Sequence, residues 1–372
     1  MNNKLKKNVL FVGAFNSNTK DGSTGGQLFA CTTLINSELK NRVNFITIDS
    51  TSKRVPAPPL IKRIPYVFIR LFKFIFYLLF FKIETVIIFT SAGFSFYEKG
   101  VLSLVGKLFN KKIILAPRSG LIKRDYNSNK FSGRFISYVI NSVDFVICQG
   151  ESWKDFYFEI SNKKNKDKFY VINNWIDVNP YLDNLKSNAE LSENKKIIKI
   201  AYIGWLEEYK GINDLLDALI LLKDSNSSPN YICNIYGNGS LYQRANEIIE
   251  KFNLENVKIK GWANYETKMK ALKDSDIFVI PSHFEGFPNT LLEAMVSKKA
   301  IITTSIPAIL DIVSDRKNAL VVKKSSPKEI SNNLNYLLND PKLLENISSN
   351  AQVHVIKNFT LDKAIIKFNN II

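Results

Sequence analysis

Histidine and cysteine are nearly missing from this chain. Among 372 residues there are two histidines, His283 and His354, and three cysteines, Cys31, Cys148 and Cys233. The cysteines are odd in number, far apart, and each set in an apolar helix or strand pattern. That leaves no disulfide framework and no metal site of cysteine spacing, and they read as buried thiols in a reducing compartment. Long apolar runs are missing too. The richest stretch, LIKRIPYVFIRLFKFIFYLLFFK over 60–82, holds no uninterrupted run longer than FIFYLLFF, far short of the roughly 20 residues that span a bilayer. The start, MNNKLKKNVLFVG, has no long apolar region and no small-residue cleavage site, so no signal peptide is predicted. Acidic residues are scarce relative to basic ones: Asp+Glu 34 against Lys+Arg 51, a net charge of +17. Such an excess points to nucleic acid, anionic lipid or a phosphorylated substrate. Many of the lysines sit among Asn, Ile and Ser, which composition bias alone also produces.

What is present is a globular pattern, with 45% hydrophobic and 23% charged residues. The chain is too long for one ordinary core, so two domains are expected. KKNVLFVGAF is a buried strand ending at Gly13, followed by a polar loop, a helical pattern in QLFACTTLINSELK and a second strand, VNFITID. ETVIIFT, KKIILA, DFVICQ and KFYVIN continue it. After Glu190 the order restarts with KIIKIAYIG, GINDLLDALILLK and NYICNIYG, then NVKIKG, DIFVIPS, AIITT and ALVVK. This predicts an α/β fold of two doubly wound Rossmann-like domains, 1–180 and 190–352, with a C-terminal helix over 353–372 that could cross back to the first. In 60–82, aromatics flanked by Arg63, Arg70, Lys73 and Lys82 suit a helix lying in a membrane interface, or else a core helix with a few snorkelling cations.

The segment PSHFEGFPNTLLEAM, 281–295, places Glu285 in a loop leaving a strand and Glu293 in the helix that follows. Ligands of open α/β sheets bind at the carboxyl ends of strands. Pro288 suits the first helical position, and amides from Gly286 to Thr290 suit an anion between the carboxylates. Hydroxyls at both ends and phosphates between them describe a nucleotide sugar.

The E-x7-E spacing after a strand and PS resembles the retaining glycosyltransferases of family 4, with the GT-B fold of two domains facing across a cleft. IGWLEEYKGINDLLDAL resembles that family's strand, phosphate lysine and helix. IYGNGSLYQ resembles its G-x-G turn, VKIKGW its next strand and STGGQ its first-domain glycine loop, so the likeness covers nearly the whole chain. The resemblance implies transfer of a sugar from a nucleoside diphosphate to an acceptor hydroxyl with retained configuration, without metal or other cofactor. It makes Lys210 the pyrophosphate ligand, Glu285 the ligand of sugar hydroxyls and Glu293 that of the ribose, with Lys210 and Glu285 as the catalytic pair. Gly25 and Gly26 would approach the phosphate, and Gly237 and Gly239 the base. Gly204, Gly286, Phe287, Asn289 and Thr290 complete the donor set. On the acceptor side, LAPRSGLIKR is similar to a subset with P-R-[GS], making Arg118, Ser119 and Lys123 candidates, with Arg124 beside them.

Two departures stand out. Trp205 occupies a position where many relatives carry arginine, and the first domain lacks the histidine that relatives often place near the acceptor. His283 lines either the sugar pocket or nothing. Asp274-Ser275-Asp276 imitates a metal-binding D-x-D but lies at a helix-to-strand junction, where a turn or cap is expected. The partners implied are a nucleoside-diphosphate sugar, a saccharide or lipid-linked saccharide acceptor of surface polysaccharide assembly and an anionic membrane surface, with no nucleic acid. The place implied is the cytoplasmic side of the inner membrane, peripherally bound. A nicotinamide dehydrogenase would share the opening strand, loop and helix, but G-x-G-x-x-G is absent. A non-catalytic, membrane-docked scaffold on the same fold is the other alternative.

Overall fold

In a computed structural model, residues 6–16, 26–51, 59–163, 165–186, 197–224 and 230–372 are described. The chain divides into two compact units, Met1–Trp175 with Leu361–Ile372, and Ile176–Thr360.

The first unit is built from β1 (Lys7–Gly13), α1 (Gly26–Asn36), β2 (Val43–Asp49), α2 (Leu60–Phe80), β3 (Ile83–Thr90), α3 (Phe94–Leu108), β4 (Lys112–Pro117), α4 (Leu121–Ser128), α5 (Lys130–Ser142), β5 (Phe145–Cys148), α6 (Glu151–Ile160) and β6 (Phe169–Val171). Its six strands are ordered β2-β1-β3-β4-β5-β6 and pair in parallel, Val9 lying opposite Phe45 and Thr85. A parallel sheet is covered on both faces, which is why its strands read as continuous apolar runs. One face packs Leu10, Val86 and Ile113 against Phe74, Leu78 and Leu102 of α2 and α3. The other packs Phe11, Ile87 and Ile114 around Cys31. All three cysteines are free and buried. Burial pushes the Cys31 and Cys233 thiols up to about 12, so they stay protonated and unreactive.

The second unit holds α7 (Asn179–Lys186), β7 (Ile198–Ile203), α8 (Ile212–Asp224), β8 (Tyr231–Tyr236), α9 (Tyr242–Lys251), β9 (Val257–Ile259), α10 (Tyr265–Asp274), β10 (Ile277–Ile280), α11 (Asn289–Val296), β11 (Ala300–Thr304), α12 (Pro307–Leu310), β12 (Leu320–Val322), α13 (Pro327–Asn339) and α14 (Pro341–Asn358). Its sheet runs β12-β11-β10-β7-β8-β9, again parallel throughout. Each sheet therefore has one reversal of winding, between β1 and β3 in the first unit and between β7 and β10 in the second. At such a point the loops leaving neighbouring strands diverge and open a crevice.

The C-terminal region departs from expectation. The residues 353–372 are not one helix. Val355 continues the buried face of α14 as far as Asn358, and Phe359 ends it, its ring packed 5.7 Å from that of Phe287. The Ile176 amide donates to the Phe359 carbonyl at 2.9 Å, tying the two crossing segments together. A separate helix, α15 (Leu361–Phe368), then joins the first unit. There Ala364, Ile365, Phe368 and Ile371 bury against the sheet face that holds Phe11 and Trp175.

Helix α2 covers the sequence stretch 60–82 except for its last two residues. It is neither wholly core nor wholly surface. Phe74 and Leu78 are buried, whereas Phe72 and Phe80 are each 71% exposed and Phe76 is 51% exposed. Among the described residues no helix is long and apolar enough to cross a membrane.

Candidate active site

The winding reversal of the second unit gathers the residues of the E-x7-E segment. After β7 the chain passes Gly204 and Trp205 and makes a short 3-10 turn, Glu208–Lys210. Gly211 ends that turn with φ +70, and a Cβ there would stand 2.0 Å from the Pro281 carbonyl oxygen. Only glycine lets the β7 loop lie this close to the β10 loop. The close approach carries Lys210 to Glu285: Nζ and Oε1 are 2.7 Å apart, and the Ser282 hydroxyl donates to the same oxygen at 2.8 Å. Both side chains are mostly buried, Lys210 20% and Glu285 11% exposed, so the pair is screened less than a surface ion pair.

Glu293 lies one helix away. Helix α11 starts at Asn289, so Pro288 precedes the first helical residue instead of occupying it, its ψ of 111 being extended. Glu293 thus falls in the second turn. Its Oε1 accepts from Lys268 Nζ at 2.6 Å, the lysine coming from α10. Tyr181 of α7 bonds the same carboxylate, and burial, followed by Glu293, raises the Tyr181 hydroxyl well above the usual tyrosine range. Phe287 is buried, and Gly286 and Asn289 are already engaged within the chain. Thr290 stands in the first turn of α11.

Around this pair of ion pairs, Gly237 ends β8 so close to β7 that a Cβ would meet the Gly204 carbonyl oxygen at 2.0 Å. Gly239 follows, its amide turned onto the Asn238 side chain at 2.8 Å. Trp205 meets Trp262 with ring centroids 4.6 Å apart and planes tilted by 47°. Lys268, which no local motif marks, is the cation paired with Glu293. His283 is held by Asp214 of α8, Nε2 to Oδ2 2.6 Å. The Asp276 carboxylate, just before β10, accepts the Lys199 amide of β7 at 2.9 Å.

The remaining candidates lie in the first unit. Gly25 falls outside the described residues, and Gly26 opens α1. Arg118 and Ser119 leave the carboxyl end of β4. The Arg118 guanidinium stacks 4.9 Å from the Phe89 ring and 5.4 Å from Trp175, and donates to the Asn174 side-chain oxygen. Burial lowers its pKa to about 10, so it remains charged at neutral pH. Lys123 is exposed on α4, and Arg124 beside it faces Asp125 at 3.6 Å.

Residues 183–354 match the family model of glycosyl transferases, group 1. The chain is 24% identical over 274 residues to a poly(ribitol-phosphate) alpha-N-acetylglucosaminyltransferase of Staphylococcus aureus, covering 71% of this chain and 52% of that one. It is 26% identical over 251 residues to an N,N'-diacetylbacillosaminyl-diphospho-undecaprenol alpha-1,3-N-acetylgalactosaminyltransferase of Campylobacter jejuni, covering 61% of each. The chain thus spans about half to three fifths of these curated relatives. In three dimensions it resembles a sucrose-phosphate synthase from Thermosynechococcus elongatus, with a TM-score of 0.77, 14% identity and 98% of both chains covered. The two parallel six-stranded sheets with flanking helices are those of the GT-B fold.

Proposed function

We propose, from the group 1 match of residues 183–354 and the geometry it encloses, that this chain is a retaining glycosyltransferase using a nucleoside-diphosphate sugar. The observation that carries the reading is the pairing of Lys210 with Glu285 and of Lys268 with Glu293, the two glutamates lying in the loop and the helix that follow β10 at the winding reversal of one sheet. Each carboxylate can turn to ligand hydroxyls while its lysine turns to phosphate, and without ligand neither charge stands uncompensated. In the reaction, the bond from the anomeric carbon to the phosphate oxygen breaks and the acceptor oxygen bonds that carbon. The acceptor proton passes to the departing phosphate. Lys210 stabilises the charge growing on that phosphate, and Lys268 is the second cation in place of the arginine that Trp205 replaces. Glu285 Oε1 is already shared by Lys210 and Ser282, which suits a ligand of sugar hydroxyls more than a nucleophile. The lysines supply the positive charge, so the proposal needs no metal or other cofactor.

The acceptor in this reading is a saccharide, or a saccharide on a lipid, of bacterial surface polysaccharide assembly, met by Arg118, Ser119 and Lys123. Two relatives act on such carriers by name: poly(ribitol-phosphate) and diphospho-undecaprenol. The exposed aromatics of α2 favour peripheral docking on an anionic membrane, at the cytoplasmic face.

Calorimetry tests the division of labour between the glutamates. Free nucleoside diphosphate contains the ribose but no transferred sugar. Glu293→Ala is expected to weaken its binding by about tenfold or more, the worth of a hydrogen bond to a charged group, while Glu285→Ala leaves it nearly unchanged. With the intact nucleotide sugar, Glu285→Ala is the impaired variant as well. Equal losses for the free diphosphate would overturn the assignment.

A further inference from the structure

The second sheet carries polar residues on part of one face. In the parallel register of β7, β8 and β9, Ala201 lies opposite Asn234, and Asn234 opposite Lys258. Side chains alternate along a strand, so Lys199 and Ala201, Asn234 and Tyr236, and Lys258 and Lys260 share that face. The other face of the same strands packs Ile200, Cys233, Ile235 and Val257 with Leu215 and Leu219 of α8. Parallel sheets are ordinarily apolar on both faces, and this polar half-face breaks the rule.

A cavity of about 220 Å³ lies on it, bounded by α10. Lys199, Lys258 and Lys260 line the cavity together with Asn234, Tyr236, Asp274 and Ser275. Among the described residues, none of the three ammonium groups has an ion pair or hydrogen bond, and neither does the Asp274 carboxylate. Ser275 is 3% exposed, and its hydroxyl is buried without a partner. Buried polar groups are ordinarily paired. Burial first, and then Asp274, raises the pKa of the Tyr236 hydroxyl, so the carboxylate acts on that ring across the cavity wall. Lysines on an edge strand guard it against pairing with another sheet, and β9 is such an edge. Guarding accounts for Lys258 and Lys260. It does not account for Lys199 on the inner strand β7 or Asn234 on β8.

We propose that this cavity is a second ligand site, for a small phosphorylated polyol of the sugar-phosphate class. Lysine ammonium groups are mobile point charges suited to phosphate oxygens. The Asp274 carboxylate only accepts hydrogen bonds and repels a bare anion, so the phosphate must bring hydroxyls with it. Asn234, Tyr236 and Ser275 both donate and accept, as hydroxyls require. The volume far exceeds the roughly 10–15 Å³ that admits one water. It falls below the roughly 300–1,000 Å³ of pockets for drug-sized ligands, which suits a small metabolite. The site is separate from the paired glutamates: Asp274 and Ser275 precede β10, whereas Glu285 and Glu293 follow it. The Asp274-Ser275-Asp276 stretch, which imitates a metal motif, supplies two of its groups.

Calorimetry on the full chain tests this with inorganic phosphate, glycerol 3-phosphate, glucose 6-phosphate and glucose. At least one of the two hydroxylated phosphates is expected to bind about tenfold more tightly than inorganic phosphate, the worth of one hydrogen bond to a charged group, and glucose to bind least. Lys258→Gln with Lys260→Gln, both at exposed positions, should weaken that probe about tenfold or more. The thermal midpoint of this variant without ligand should stay close to that of wild type, as for exposed substitutions in general. Asp274→Ala should erase the preference over inorganic phosphate and strengthen the binding of inorganic phosphate itself. Equal affinity for all three phosphates would mean an adventitious ion only. Unchanged affinity in the double lysine variant would put the probe elsewhere, and unchanged affinity with aggregation would mean that the lysines only guard the edge. No binding of any probe at millimolar concentration would leave the cavity without a ligand of this class. Each of these results overturns the site. None of them requires sugar transfer, so the site and the function proposed above stand or fall separately.

Discussion

Replacing Lys210 by alanine is expected to lower turnover at saturating donor by about 10²–10³, the usual cost of losing one preorganised group that meets developing charge. The structure gives two reasons for an effect of this size. The ammonium is fixed 2.7 Å from Glu285 by the close packing of Gly211 on Pro281, so it is aimed before any ligand arrives. Its removal also leaves Glu285, only 11% exposed, without its cation. That second effect disturbs folding as well as chemistry, so the thermal midpoint must be measured alongside. The donor is found first by a thermal-shift screen of nucleotide sugars, in which a ligand at 100 times its dissociation constant adds about 2.7 kcal/mol. Single-turnover release of nucleoside diphosphate then separates chemistry from binding. Turnover near that of wild type would remove Lys210 from the site.

Phe74→Ala is expected to destabilise the first unit by about 3–5 kcal/mol, the range for removing a buried aromatic ring. Two residues earlier, Phe72→Ser should stay within about 0.5 kcal/mol, as exposed substitutions do. Phe74 is wholly buried against the sheet and Phe72 is 71% exposed. Denaturant midpoints of the two variants check the contrast. Equal destabilisation would mean that α2 is turned differently about its axis.

The same helix shows where sequence reasoning stops. Hydrophobic periodicity assigns a buried face when apolar and polar residues alternate at helical spacing. α2 is apolar on both faces, so nothing local distinguishes Phe74 from Phe72 or Phe76. The inward placement of Arg63 over Phe94 and of Arg70 on Glu98, both of α3, runs against the pattern. The strand order and the placing of Glu285 after β10 were legible, because apolar runs, glycines and turn residues mark strand ends. Lys268 was not, since it reaches Glu293 from another helix, 25 residues away in the chain. Tyr181 and Asp214 escape for the same reason: their roles exist only once the sheet has brought distant helices together.

The return of α15 to the first unit sets an order of events during synthesis. Domains of a growing chain usually complete themselves from the amino end. Here the second unit, Ile176–Thr360, is synthesised in full before Phe368 and Ile371, which belong to the core of the first, have been made. Until then the sheet face around Phe11, Ile87 and Trp175 lacks part of its cover. The first unit begins earliest and closes last, its cover completed only by residues made after the whole of the second.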